Sequence, residues 1–285
     1  MEQLTIRPME PSDLPFAAAC TAAEGWDGET ELELTGHYTY DPEGCFVAWV
    51  GDARVGICFA TAYPRSGFVG ELIVVEAMRG RGIGRRLLRR AIGYLAGRGL
   101  ERIFLDGVPA AVPFYQSEGF AVVCRSLRFS GQISGSPHPA VRPMGRGDLP
   151  AVCDLDQSAF RDDRGYFLQG RLERYPGLCL VLEGEGGIAG FIMGLRGRAT
   201  LSAGPCIVQD GPEAARSLLQ ALAAACPPQT TVRAGVLETN SAAAGLMGSL
   251  GLEGAPVSSW RMCRGAPWEA WPSAFEFAIG SPAKG

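Results

Sequence analysis

Apolar residues recur along this chain in two alternating rhythms. Short runs with a period of two, or of continuous β-branched character, read as strands: Gln3–Arg7, Cys45–Val50, Arg54–Ala62, Leu72–Val75, Arg102–Asp106 and Phe120–Phe129. Elsewhere the period lengthens to that of a helix. Ile83, Leu87, Leu88, Ala91, Ile92 and Leu95 fall on one face. Pro8 stops the first strand, and Ser12-Asp13 cap a helix reaching about Ala23. A second helix is predicted over roughly Glu29–His37 and a short one over Ala110–Ser117. Gly51-Asp52 marks a hairpin turn.

This order, β-α-α-β-β-β-α-β-α-β, then restarts. Residues 130–139 are rich in Gly, Ser and Pro and read as a linker. After them Arg7-Pro-Met-Glu-Pro-Ser-Asp-Leu-Pro15 returns as Arg142-Pro-Met-Gly-Arg-Gly-Asp-Leu-Pro150, a shift of 135 residues (142 − 7). Leu178–Leu182 and Ile188–Leu195 repeat the hairpin, and Ile207-Val208 the central strand. In Arg216–Ala225, Leu218-Leu219 answers Leu87-Leu88, and Gly251-Leu252 answers Gly119-Phe120. Several landmarks in one order imply two copies of one mixed α/β domain. The expected limits are 1–130 for the first domain, 131–139 for the linker, 140–264 for the second domain and 265–285 for a tail. That tail carries Trp268, Trp271, Phe275 and Phe277 and is expected to pack on a domain, since exposed aromatics invite association.

The length of 285 residues suits one large or two medium domains, and a net charge of −4 argues against nucleic acid as the main partner. The charge is unevenly placed. Arginines crowd Arg79–Arg90, while acids gather at Glu24, Asp27, Glu29, Glu31, Glu33, Asp41 and Glu43. The split suits an anionic cofactor at one place and a cationic acceptor at another; a solvated acidic face is the competing reading. No apolar run is long enough to span a bilayer, and the start reads as a strand and not a secretory signal. A cytoplasmic protein without a membrane partner is expected. The nine cysteines are scattered, none in Cys-x-x-Cys, and His37 and His138 are the only histidines. That composition predicts reduced, mostly buried thiols and no metal site. High Ala, Gly and Arg with few Lys has the look of a GC-rich bacterial source.

The most informative stretch is Glu71–Arg90: strand, glycine loop, helix. Gly80, Gly82 and Gly84 let the backbone approach a ligand closely. The first N–H groups of the helix lack internal partners and the helix dipole adds positive potential, so the turn is an anion site suited to adjacent phosphates. No Gly-Lys-Ser/Thr follows, which excludes a P-loop, and the spacing is not Gly-x-Gly-x-x-Gly. Arg79, Gly82 and Gly84 instead form Arg-x-x-Gly-x-Gly between strand and helix. In that setting the loop resembles the pyrophosphate loop of the GNAT family of N-acetyltransferases. Ala111-x-x-x-Tyr115-x-x-x-Gly119-Phe120 resembles the last helix and strand of that family, and the likeness runs from Leu4 to Phe129.

The resemblance implies two tandem GNAT-like domains and transfer of an acetyl group from acetyl-CoA, as cosubstrate, to an amine by direct attack without a metal. Ile73, Val74 and Val75 occupy the position whose backbone pairs with pantetheine. Arg79, Gly80, Arg81, Gly82, Ile83, Gly84 and Arg85 would hold the pyrophosphate, with Arg86 adding charge. Tyr115 matches the residue that donates to the leaving thiolate. Glu71 and Asp106 are the alternative bases, with a water chain as a third possibility. Trp26 and Asp27 lie where relatives build the acceptor pocket; Asp162, Asp163, Arg164 and Tyr166 hold the equivalent region of the second copy. Val108 stands where the family often has asparagine.

The second copy has lost these features. Asp210-Gly-Pro-Glu-Ala-Ala215 lies opposite the glycine loop and Met247 opposite Tyr115, though Asn240-x-x-Ala243 keeps the family spacing. It is expected to be degenerate and to complete the acceptor pocket of the first. The acceptor is expected to be a primary amine of a small molecule or peptide, and the protein a monomer or homodimer. The competing class is an acyl-CoA sensor without turnover.

Overall fold

A computed structural model describes residues 3–269 and 273–285. The first half runs β1 (Leu4–Pro8), α1 (Leu14–Ala23), α2 (Glu31–Tyr40), β2 (Cys45–Val50), β3 (Ala53–Ala62), β4 (Gly67–Val74), α3 (Ile83–Gly97), β5 (Ile103–Gly107), α4 (Val112–Ser117) and β6 (Phe120–Gly131). The second runs β7 (Val141–Pro143), α5 (Leu149–Phe160), α6 (Gly165–Arg174), β8 (Cys179–Gly184), β9 (Gly187–Arg196), β10 (Leu201–Val208), α7 (Pro212–Ala224), β11 (Val232–Leu237), α8 (Ser241–Ser249), β12 (Glu253–Gly254) and β13 (Ser259–Arg264). A last strand, β14 (Glu276–Ala278), follows. The second helix starts two residues later than the periodicity predicts, because Thr30 accepts the Glu33 amide and caps it there.

The repeated motif has a physical cause. Arg7 pairs with Asp13 at 2.7 Å and Arg142 pairs with Asp148 at 2.7 Å, each carboxylate at the start of a helix with proline in its first turn. The halves also share their layering. In the first, Phe46, Ala48 and Cys58 pack under Leu87, Leu88 and Leu95 of α3, while Val47, Ile57 and Phe59 face Leu14 and Leu34 on the other side. In the second, Leu180 and Ile192 meet Leu218 and Leu222, while Val181, Phe191 and Met193 meet Val152, Leu155 and Leu168. Alternation along each strand feeds the two faces in turn.

The halves are not joined in series. Their strands form one sheet in the order β1-β2-β3-β4-β5-β13-β6-β11-β10-β9-β8-β7. The last strand of each copy is inserted into the other: β13 pairs with β5, and β6 pairs with β11. β6 and β13 lie antiparallel between them, from Ser259 opposite Ser126 to Arg264 opposite Phe120. An aromatic cluster of Tyr63, Phe68, Phe104 and Phe160, with Phe167 and Trp268 against it, seals the two halves. Trp268 stacks near Phe104 at 5.4 Å and Phe277 is buried, whereas Phe275 is exposed. Trp271 lies outside the described residues. Among the described residues no helix is long and apolar enough to cross a membrane.

Candidate active site

β4 and β5 run parallel but are bridged only at Gly67–Ile103 and Phe68–Phe104. Beyond Phe68 they diverge, and among the described residues the β5-facing edge of β4 has no strand partner. Ile73, Val74 and Val75 lie along that stretch and lead into the glycine loop. Gly80 and Gly82 have φ of +76° and +77°, with open space where a Cβ would stand. Glycine is needed there for conformation, and the empty side is open to a ligand. Gly84 has an ordinary helical conformation, and a Cβ there would meet Val74 Cγ2 at 3.6 Å. Among the described residues, the amides from Gly80 through Arg85 find no acceptor. They converge at the start of α3, whose capping residue, Gly82, offers no side chain.

The arginines are less free than the sequence suggests. Arg79 is ion-paired with Glu24 and donates through Nε to the Val74 carbonyl at 2.9 Å. Arg85 and Arg89 both clasp Glu118, at 2.6 and 2.8 Å. Arg81 is exposed without a recorded ion pair among the described residues. The loop's attraction for anions therefore rests on its amides, its helix terminus and Arg81, with Arg79, Arg85 and Arg89 pinned around it.

Tyr115 projects from α4 onto β5. Its ring lies flat on Gly107, where any Cβ would meet it at 2.9 Å. Phe114 and Phe120 hold it from the sides, and burial pushes its phenol pKa up, so it stays a proton donor at neutral pH. No hydrogen bond engages its hydroxyl among the described residues.

Glu71 sits where one residue of β3, Cys58, faces two of β4, Glu71 and Leu72, since Phe59 is opposite Gly70 and Ile57 opposite Ile73. This bulge gives Glu71 a φ of +45°, a costly conformation for a non-glycine residue, and turns its carboxylate into the interior. Oε2 lies 3.9 Å from His37 Nδ1, and both atoms are buried without a hydrogen-bond partner. The other ring nitrogen of His37 meets Thr61 Oγ1 at 2.6 Å. Burial, then the Lys284 charge, holds His37 neutral. Burial pushes the Glu71 carboxyl up to about 8; Lys284 opposes the rise and the Glu29 carboxylate adds to it.

Sequence reasoning missed the groups opposite Glu71. Lys284 Nζ lies 3.0 Å from Glu29 Oε2 and 3.5 Å from Glu71 Oε1. Burial alone would raise the Glu29 pKa, but Lys284 holds it below the ordinary range. The acidic cluster of residues 24–43 was a signal for Glu29, though not for which of its members would reach inward.

Two predicted groups are placed differently. Asp106 does not open onto the gap. It is bound by Arg261 Nε, by Arg128 Nη2 at 2.7 Å and by Ser126 Oγ at 2.7 Å. Burial would raise its pKa, but Arg261 and Arg128 hold it low, which makes it a weak proton acceptor. Asp27 accepts from the amides of Ala199 and Thr200, at 2.8 and 3.0 Å, and from Thr200 Oγ1 at 2.7 Å, so it caps a hairpin of the second half. Trp26 is partly exposed, and its carbonyl accepts from Arg198 at 2.8 Å.

The equivalent region of the second copy mirrors this. Asp162, 135 residues beyond Asp27 (162 − 27), accepts from Ser66 Oγ at 2.7 Å and the Arg65 amide at 3.1 Å. Asp163 caps Gly165, and Tyr166 meets Tyr40 at 4.9 Å. Arg164 is buried against Asp156 at 2.8 Å.

The second copy has its own divergence. β10 and β11 are bridged at Leu201–Val232 and Ser202–Arg233 and then separate. β14 fills that gap, antiparallel to β10, with Cys206 opposite Ala278. Asn240 secures it by donating to the carbonyls of Ala274 and Glu276, at 2.8 and 3.0 Å. The backbone edge left open in the first half is thus occupied by the chain itself in the second.

Comparison with known proteins agrees with this architecture. Residues 13–120 match the profile described as the Acetyltransferase (GNAT) family, and residues 152–270 one described as an Acetyltransferase (GNAT) domain. A stretch of 74 residues is 38% identical to glucosamine 6-phosphate N-acetyltransferase 1 of Oryza sativa subsp. japonica, covering 26% of this chain and 45% of that enzyme. The chain thus spans under half the length of that curated relative. A candidate acetyltransferase from Pyrococcus horikoshii superposes with a TM-score of 0.85 at 22% identity, over 100% of this chain and 97% of the other. A tandem GNAT protein from the clavulanic acid biosynthesis pathway superposes at 0.63 and 16% identity, over 94% and 100%. At these identities the two structures speak to fold alone.

Proposed function

The chain belongs to the GNAT acetyltransferase family, with one domain of that family in each half, and on that premise we propose that its first half is an acetyl-CoA-dependent N-acetyltransferase acting on a primary amine. One observation carries the reading: the open edge of β4 runs directly into a loop of free amides, with Glu71 at the bulge of β4 and Tyr115 packed on Gly107 of β5. Ile73–Val75 would offer backbone groups to the pantetheine amides, which an unpaired strand edge inside a sheet requires of some ligand. The amides of Arg79–Arg85 would hold the pyrophosphate. Acetyl-CoA supplies the activated acyl group.

Most of the acceleration would come from positioning, with two proton movements. Glu71 takes a proton from the incoming ammonium, and Tyr115 donates to the departing thiolate sulfur. Asp106 has no part in this, being saturated by two guanidinium groups. Glu29 and Glu71 give the pocket an acidic lining that suits a cationic amine. The name of the rice relative points to a small-molecule amine as the acceptor class. Since β14 occupies the second gap, one cofactor per chain is expected. Calorimetric titration with acetyl-CoA tests this. One equivalent supports the assignment, two would overturn the reading of the second gap, and none would overturn that of the glycine loop.

A further inference from the structure

Lys284 is the only lysine in the sequence, against 25 arginines. Its position is built in detail. After β14 the chain continues along β11, where the Ile279 amide donates to the Gly235 carbonyl at 2.9 Å, and then crosses to the first half. Ser281 and Gly285 exchange backbone hydrogen bonds at 2.9 Å, folding the segment into a tight loop. Ala283 lies directly on Gly70, where a Cβ would meet the Ala283 Cβ at 2.6 Å. Gly285 fits between Phe160 and Phe68, which would leave a Cβ 2.4 and 3.0 Å away. Tyr63 Oη donates to the Lys284 carbonyl at 2.7 Å. Ser281 Oγ and Lys284 Nζ both reach Glu29, at 3.2 and 3.0 Å.

The single side-chain primary amine of this chain is thereby held beside the bulge of β4, at the carboxylate that the proposed function uses as base. The cavity left next to it, bordered by Glu33, Tyr63, Arg171 and Ser281, has a volume of about 30 Å³. That is room for a water or two beside the Lys284 side chain, which fills the position nearest Glu71. We propose that Lys284 is itself an acceptor, acetylated in cis by the first half. The inference rests on the assignment of that half as an acetyl-CoA-dependent enzyme.

The step balances without a further reactant. The Lys284 ammonium gives a proton to Glu71, whose Oε2 makes no other hydrogen bond. The freed Nζ lone pair forms a bond to the thioester carbonyl carbon and the C–S bond breaks. The thiolate takes the Tyr115 proton, the second amine proton restores the Tyr115 phenol, and Glu71 releases its proton to solvent. The product amide has no charge to offer Glu29 and Glu71, so modification removes the ion pairs that help hold residues 279–285 in the cleft and weakens their hold there.

The test incubates the purified full chain with acetyl-CoA and follows intact mass and peptide maps. One acetyl group on Lys284 is expected, at a first-order rate independent of protein concentration. The α-amino terminus falls in a separate peptide. The Tyr115→Phe chain keeps its lysine and should label about 100-fold more slowly, and Lys284→Arg should not label in that peptide. Acetyl-CoA binding by calorimetry with Lys284 unmodified would overturn the inference and leave the enzyme assignment standing. Labelling at equal rates in Tyr115→Phe would overturn it as spontaneous chemistry. No binding at all would remove the enzyme assignment and this inference with it.

Discussion

Asp106 and Arg261, 155 residues apart in sequence, form a buried ion pair that locks the exchanged strand β13 onto β5. Arg128 from β6 joins the same carboxylate, so one side chain binds both exchanged strands. Removing it takes the carboxylate from a buried guanidinium, Arg261, and a half-buried one, Arg128. We expect Asp106→Ala to cost about 3 kcal/mol or more, and both halves to melt in a single transition that moves to lower temperature. Scanning calorimetry checks this, and two separated transitions would contradict the shared sheet.

Gly82 holds φ at +77° with its Cβ direction open to the ligand side. In Gly82→Val the branched side chain strains the turn and fills the approach to the amides. Acetyl-CoA affinity should fall at least about tenfold, roughly 1.4 kcal/mol. Calorimetry reads this directly, and unchanged affinity would place the cofactor elsewhere.

Tyr115→Phe keeps the ring on Gly107 and removes only the hydroxyl. Turnover with an amine acceptor should drop about 100-fold while acetyl-CoA affinity stays within a factor of about two, because the ring makes the packing contacts. Steady-state kinetics beside calorimetry separate the two effects. Equal loss of both would assign Tyr115 to cofactor binding.

Glu71 faces Lys284, Glu29 and His37, and its carboxyl is raised from an ordinary 4.5 to about 8. As a base it must be ionised, so kcat/KM should climb as pH rises through about 8, and Glu71→Gln should abolish that limb. Stability has the opposite sign. A folded-state pKa above the unfolded one favours the neutral form in the fold. That contribution is complete below the ordinary value and is lost as pH rises through about 8. The melting temperature should therefore decline over this window in the native chain, less so in Glu71→Gln. A flat rate profile across the window would remove Glu71 as the base.

The local rules of this fold were legible because they are local. Alternation at Cys45–Val50, the helical face from Ile83 to Leu95 and the repeat of Arg-Pro-Met around Arg7 and Arg142 each depend on neighbours a few residues away. The glycine loop was legible for the same reason. Strand exchange was not, since β6 and β13 satisfy the same alternation whichever copy they pair with, and nothing in a strand states whose edge it joins. The acidic loop shows the limit most sharply. Asp27 and Glu29 are two residues apart, yet one caps a distant hairpin and the other faces Lys284, a choice made by contacts with chain more than 170 residues away. Asp106 shows the same limit: Arg261 reaches it from β13, a strand of the second half that a serial arrangement of domains would have kept away from β5.

The exchange of β6 and β13 also sets an order of events on the ribosome. The partner of β5 is synthesised 155 residues after Asp106, and at roughly 5–20 residues per second that interval is on the order of 10 s. For that time the nascent first half carries a strand of Ile103, Phe104 and Leu105 with an open edge, the kind of edge that pairs with other chains. Completion of the first half's sheet therefore waits for translation of the second, and a newly made chain carries that apolar edge until β13 arrives.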